Sequence, residues 1–194
     1  MENEIILTEI EIELCKNFAE KTSKTQRENR SGGTLVRSVQ QIFQDTLRGK
    51  TGEFITKKFL EQSPLNVEGI SLDLETYPRG QWDSSDIIMN DLKISIKSSK
   101  HFSKWLLLES KDILRGDVYD YYIFVLINAD GKSGTIKGFA KKDEIVEPND
   151  QTLILDTGDL IPGTYTRLDA KNHARHMNDL HNLESDWAGL VASF

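Results

Sequence analysis

Seven consecutive residues, Tyr121-Tyr122-Ile123-Phe124-Val125-Leu126-Ile127, contain no charge. A half-exposed strand alternates apolar with polar residues, and a surface helix repeats every 3.6 residues. This run does neither, so it reads as a strand buried on both faces in the middle of a sheet. The chain is therefore expected to be α/β (α+β), with a central mixed β-sheet flanked by helices.

The remaining elements are placed around that strand. Across residues 8–20, Ile10, Leu14 and Phe18 recur at helical spacing, and Thr8 with Glu11 has the form of a capping box. Residues 21–33 are polar, end in Gly32-Gly33 and read as a mobile loop. A longer helical pattern follows through Leu35, Val39, Ile42, Leu47, Phe54, Ile55, Phe59 and Leu60; Gly49 and Gly52 are expected to kink or split it. Residues 67–74 alternate as a strand, and Pro78-Arg79-Gly80 is turn chemistry. Residues 86–89 and 92–97 read as a hairpin turning at Asn90-Asp91. Residues 102–114 read as a helix, with Trp105, Leu106, Leu108 and Ile113 apolar. A turn at Asp130-Gly131 leads to a strand over residues 135–140 and a short helix or turn over 142–146. Residues 170–194 are expected to be helical in part, around Leu180, Leu183, Trp187 and Leu190. The expected layout is a single domain over 1–194, with an N-terminal helix and basic loop (1–33), a core (34–146) and a C-terminal extension (147–194).

Composition narrows the class. Of 194 residues, 38% are hydrophobic and 28% charged, which suits a soluble globular chain. No apolar run approaches the ~20 residues that cross a bilayer. Met1-Glu2-Asn3-Glu4 lacks the basic opening of a signal peptide, and Cys15 is the lone cysteine, so no internal disulfide forms. Cytoplasmic localisation without a membrane partner is the expectation. The net charge of −7 argues against a protein that holds DNA only by neutralising phosphates. An enzyme that gathers carboxylates around a cation can be acidic overall and still present a basic groove.

The hairpin carries the chemistry. Asp86 borders its first strand, and Ser95 and Lys97 share one face of the second, while Ile94 and Ile96 point to the core. A carboxylate beside a lysine suits phosphodiester hydrolysis. The carboxylate binds Mg²⁺, the metal polarises the phosphate and lowers the pKa of bound water, and the lysine orients that water or stabilises charge on the phosphate. Gly49-Lys50-Thr51-Gly52-Glu53 supplies a second carboxylate, Glu53, and Gly52 lets its helix approach the sheet closely.

A helix with Gly-x-x-Gly-Glu, then Asp86 on one strand, then an apolar-x-apolar-Lys strand resembles the PD-(D/E)XK (restriction-endonuclease-like) nucleases. The segment Asp120-Tyr121-Tyr122-Ile123-Phe124-Val125 followed by Gly138-Phe139-Ala140 is similar to the strands after the catalytic lysine in many restriction enzymes. The likeness runs over residues 35–146. It implies an αβββαβ core, catalytic residues Glu53, Asp86, Ser95 and Lys97, and Mg²⁺ held by Asp86 and Glu53, with Mn²⁺ as a substitute. The family usually places an acid or glutamine where this chain has Ser95, so the resemblance implies either that Glu53 substitutes or that the site binds DNA without cutting it. Asp83 and Asp91 are further ligand candidates.

Lys21, Lys24, Arg27 and Arg30 in the basic loop, with Lys100, His101 and Lys104 beside the hairpin, are candidate DNA contacts. His173, His176 and His181 near Asp179 lack a fuller zinc ligand set and are expected on a surface or DNA-facing helix. Cys15 is expected to be a packed core thiol. Gly49-Lys50-Thr51 lacks the glycine spacing of an ATP-binding loop. The resemblance thus implies a type II restriction endonuclease cutting double-stranded DNA. It would act as a homodimer on a palindromic site and pair with a cognate DNA methyltransferase. A non-catalytic DNA-binding module and a repair or mobile-element nuclease are the alternatives on the same fold.

Overall fold

The structure is a computed structural model that describes residues 4–24, 36–62, 64–76, 86–116, 118–147 and 149–194. The apolar run forms β5 (Tyr121–Ile127). It is the middle strand of a five-stranded sheet that also contains β1 (Glu4–Ile6), β2 (Ile87–Met89), β3 (Leu92–Lys100) and β6 (Ser133–Lys141), in the order β1-β6-β5-β3-β2. Strand β3 runs parallel to β5, and the other neighbours are antiparallel, so the sheet is mixed.

Both faces are covered, which is why β5 needs no polar residue. On one face Ile123, Val125 and Ile127 pack with residues of α1 (Glu9–Ser23), α2 (Val39–Glu61) and α5 (Glu184–Val191). On the other, Tyr122, Phe124 and Leu126 pack with Leu106 and Leu108 of β4 (Trp105–Glu109) and with Ile145 of α4 (Lys142–Val146). Strand β4 belongs to a second, three-stranded sheet with β7 (Thr152–Leu155) and β8 (Asn172–His176), ordered β4-β8-β7. Trp187 of α5 is fully buried, with ring centroids 4.8 Å from Phe59 and 4.9 Å from Phe139.

Helix α1 opens on the expected capping box. Thr8 Oγ1 accepts from the Glu11 N–H at 3.3 Å, and Glu11 Oε2 accepts from the Thr8 N–H at 2.6 Å. Cys15 is fully buried, and burial pushes its thiol up to about 11. Helix α2 is capped by Ser38, whose hydroxyl accepts from the Gln41 N–H at 3.2 Å. It passes through Gly49 and Gly52 without interruption. Gly52 marks the closest approach of helix to sheet, since a Cβ there would lie 1.8 Å from Ser98 Oγ.

Four expectations are corrected. Residues 67–74 form no strand; Val67 and Ile70 are buried in the helix-side core and the Val67 N–H is taken by Leu60 O at 2.9 Å, so their alternation reflects packing of an extended segment and not a ladder. Residues 102–114 hold strand β4 and then a short helix, α3 (Ser110–Arg115). Leu106 and Leu108, two apart, are the fully buried pair, which is a strand period. Helix α1 also runs past residue 20 to Ser23, so Lys21 lies in its last turn. Finally, residues 170–194 begin with strand β8 and are helical only at α5 and in a 3-10 turn, Met177–Asp179. The chain order α2-β2-β3-β4-α3-β5 still reads αβββαβ, but its third strand lies in the second sheet. Among the described residues, no helix is long and apolar enough to cross a membrane.

Candidate functional site

The β2–β3 hairpin positions the strand residues. Asn90 and Asp91 both have positive φ, 44° and 69°, the geometry of a tight two-residue hairpin turn. That turn sets the register Ile87↔Ile94, which brings Asp86, just before β2, beside Ser95 and Ile96. Asp86 Oδ2 accepts from the Ile96 N–H at 2.5 Å and from Ser95 Oγ at 3.2 Å. The carboxylate therefore continues the ladder past the end of β2, where the Ile96 N–H would otherwise lack a strand partner.

Alternation along β3 divides its side chains between two layers. Ile94 and Ile96 belong to the helix-side core, and Ser98 meets Gly52 of α2. Ser95 and Lys97 take the opposite face, in register with Tyr122 and Phe124 of the other core. Lys97 is half-buried there, with Nζ 6.0 Å from the centroid of the Tyr119 ring. The Tyr119 N–H donates to the Tyr122 hydroxyl at 3.1 Å, and burial pushes that phenol up to about 12. Asp86, Ser95 and Lys97 are thus brought to one stretch of β3.

Glu53 is placed elsewhere. It sits on α2, on the other side of β3 from Ser95 and Lys97, and its Oε2 is 2.5 Å from Lys50 Nζ. Lys50 Nζ also donates to Asp73 O at 2.8 Å and lies 4.2 Å from the centre of the Phe18 ring. Both members of the pair are buried, at 3% and 9% relative exposure. Asp91 stands in the hairpin turn, five residues from Ile96, or roughly 16 Å along a strand. Asp83 lies outside the described residues. Among those described, no group of three or more His, Cys, Asp or Glu side chains is placed to hold a metal ion. The residues in view do not make a Mg²⁺ site: Asp86 is one carboxylate with two donors already on it, and Glu53 is engaged by a lysine.

The candidate DNA contacts separate into two places. Lys21 and Lys24 end α1, and Arg27 and Arg30 lie outside the described residues. Lys100, His101 and Lys104 surround the turn from β3 to β4, about 13 Å along β3 from Ile96. A pocket of about 230 Å³ opens beside that turn, at the C-terminal ends of the parallel strands β3 and β5, lined by Lys100, His101 and Arg48 among others. Arg48 escaped sequence reading because its only signal was one more cation on a helix; the fold makes it a pocket residue.

The histidines correct another expectation, since they do not share a helix. His173 and His176 lie on β8, where a three-residue separation puts them on opposite faces. His173 is buried, its Nδ1 2.9 Å from Ile145 O. His176 Nδ1 accepts from the Asn178 N–H at 3.3 Å. His181 is held between two carboxylates, with Nε2 2.7 Å from Glu144 Oε1 and Nδ1 3.8 Å from Asp186 Oδ1, and its ring stacks on Phe139. Its backbone bridges to Phe139 in both directions, at 3.0 and 2.9 Å, so this cluster ties the C-terminal segment to β6.

Comparison with family models, with curated proteins and with solved structures finds no match to this chain.

Proposed function

We propose that the chain is a DNA endonuclease of the PD-(D/E)XK kind, with Asp86 as its strand carboxylate and Lys97 as its cation. The observation that supports this reading is the meeting of Asp86 with the Ser95–Lys97 stretch of β3, in a sheet where β3 runs parallel to the central strand and antiparallel to β2. Lys97 would face a phosphate as a fixed positive charge, next to a face packed by apolar side chains that raises the strength of the interaction. The described residues do not fit a dication.

One observation favours a second reading, a domain that binds DNA without cutting it. The position that usually carries the second acid holds Ser95, whose hydroxyl is engaged by Asp86, and the helix carboxylate Glu53 is paired with Lys50. A homodimer and a partner methyltransferase belong to the first reading only.

Incubation with long unmodified DNA separates the two. Discrete fragments with Mg²⁺ or Mn²⁺, lost in Lys97→Ala while DNA binding persists, are the expected result for the endonuclease. Intact DNA under both metals together with a gel shift would leave the binding domain, and cleavage by Lys97→Ala within a few-fold of the parent would remove Lys97 from the reaction.

A further inference from the structure

Residues 92–108 contain Lys93, Lys97, Lys100, Lys104 and His101 and not one aspartate or glutamate, in a chain with 31 acidic residues. The exposed end of this segment is the turn between β3 and β4, Lys100-His101-Phe102-Ser103-Lys104. At its tip the Phe102 ring is 66% exposed. A single exposed ring is common at a protein surface, and what sets Phe102 apart is the cations around it. Lys100 Nζ stands 5.7 Å from the centre of that ring, and the His101 ring meets it edge-on with centroids 5.3 Å apart.

The turn is held firmly. The Ser103 N–H donates to Lys100 O at 2.9 Å, and the Ser99 and Ser103 hydroxyls bond at 2.6 Å. On the far side Lys104 O accepts from the Met177 N–H at 2.8 Å, and Trp105 Nε1 donates to Pro162 O at 3.1 Å. Phe102 is therefore presented on a fixed platform, and little ordering entropy remains to oppose binding. Beside it lies the pocket of about 230 Å³ with Arg48, Lys100 and His101 in its wall. That is well above the ~10–15 Å³ that one water needs, so the pocket has room for a small solvated anion. Arg48 also pairs with Asp45, at 3.2 Å, which keeps its guanidinium oriented along the helix.

We infer that this turn binds single-stranded DNA, with Phe102 stacking on an unpaired base and Lys100, Lys104 and the Arg48 pocket receiving the flanking phosphates. The inference rests on the proposal that the chain acts on DNA and names the form it takes at this end of β3. Cations alone would suit any polyanion; an exposed ring on a held backbone among them suits a flat apolar partner carried on an anionic chain, which is a nucleobase. An unpaired base is favoured over a duplex step because wedging a duplex open costs a few kcal/mol of stacking, whereas a single strand offers its bases already separated.

The test is fluorescence anisotropy of a labelled single-stranded oligodeoxynucleotide and of the matching duplex, in EDTA, over a salt series. Phe102→Ala should weaken single-strand binding about tenfold with an unchanged salt slope, and Phe102→Trp should restore it. Lys100→Ala and Lys104→Ala should each lower the slope by about 0.7. A 2-aminopurine in the strand should be quenched by the parent protein and not by Phe102→Ala. Single-strand affinity of Phe102→Ala within twofold of the parent, an equal loss on duplex, or no single-strand binding by the parent overturns the inference. Cleavage with Mg²⁺ or Mn²⁺, scored separately, keeps the two proposals apart. Phe102-dependent binding by a protein that never cuts sinks the endonuclease and leaves the turn, and cutting with no role for Phe102 does the reverse.

Discussion

Gly49 and Gly52 sit three residues apart on α2, yet alanine at the two positions should have opposite effects. In a helix interior, replacing glycine with alanine is worth about 0.5–1 kcal/mol, because alanine loses less backbone freedom on folding. At Gly49 nothing lies within 4 Å of the added Cβ, so the gain is realised in full. For a chain of this size that is a rise of roughly 2–4 °C in Tm per kcal/mol. At Gly52 the same methyl would stand 1.8 Å from Ser98 Oγ and 3.0 Å from Ser98 Cβ. The hydroxyl can rotate away, but the Cβ moves only with its strand, and overpacking of this kind costs about 1–3 kcal/mol. Gly52→Ala is therefore expected to lose about 0.5–2 kcal/mol net. Among the described residues Ser98 Oγ is buried without a hydrogen-bond partner, so Ser98→Ala should be neutral or stabilising by itself; it removes the 1.8 Å contact but keeps the Cβ, and should recover only part of the Gly52→Ala loss. Urea melts of the four proteins, followed by circular dichroism, give the double-mutant cycle. Equal stabilisation by Gly49→Ala and Gly52→Ala, or strict additivity of Gly52→Ala with Ser98→Ala, would refute the close approach of α2 to β3.

Lys50→Met should lose up to about 3–5 kcal/mol, because it takes the lysine charge away from the buried Glu53 carboxylate, and Lys50→Met/Glu53→Met should recover most of that loss; a single substitution without effect in the same melts would show that the pair is hydrated. Glu144 should contribute to the acid limb of stability. Burial raises its carboxyl, but hydrogen bonds from the Lys141 N–H and from His181, with the His181 and Arg175 charges, outweigh it and hold the group below its ordinary 4.5. A lowered folded-state pKa stabilises above the unfolded value and is lost as pH falls through the folded one. Glu144→Gln is thus expected to be less stable than the parent at pH 7, with the gap closing below about pH 4.5; a gap independent of pH from 3 to 7 would assign the loss to packing.

Local patterns that the backbone alone enforces were legible. The Asn90-Asp91 turn, the Thr8–Glu11 box and the uncharged run of β5 each depend on a few neighbouring residues, and each took the form its residues implied. What depends on a distant partner was not legible. Trp105-Leu106-Leu107-Leu108 fits a helix or a strand, and β8, nearly seventy residues later in the chain, decides for the strand by pairing Leu108 with His173. Residues 67–74 show the converse, a clean alternation with no strand to receive it. At the site the same division holds. Asp86 and Ser95 are one hairpin apart, and local register puts them together. Glu53 takes its expected role from its place in a motif; its pairing with Lys50 follows from i,i+3 spacing within α2, whereas the burial of that pair depends on Phe18 of α1 and the Asp73 carbonyl, which meet Lys50 from elsewhere in the chain.

Net charge likewise says little about any one edge of the fold. A total of −7 describes the field far from the surface, which salt screens. Residues 92–108 carry four lysines and no acid, a formal +4, which leaves −11 spread over the rest of the chain. At physiological ionic strength the Debye length is about 8 Å, whereas the nine residues of β3 span roughly 30 Å. A phosphate placed at the Lys100 end of β3 would therefore be governed by Lys100, Lys104 and the Arg48–Asp45 pair, with the acids of more distant elements screened from it. At low salt the screening length grows to about 30 Å and the acidic remainder begins to repel the same strand. The opposing effects should flatten the usual steep gain in affinity as salt is withdrawn. A net-acidic protein binding through one basic edge differs in this respect from a uniformly basic one, whose affinity keeps rising.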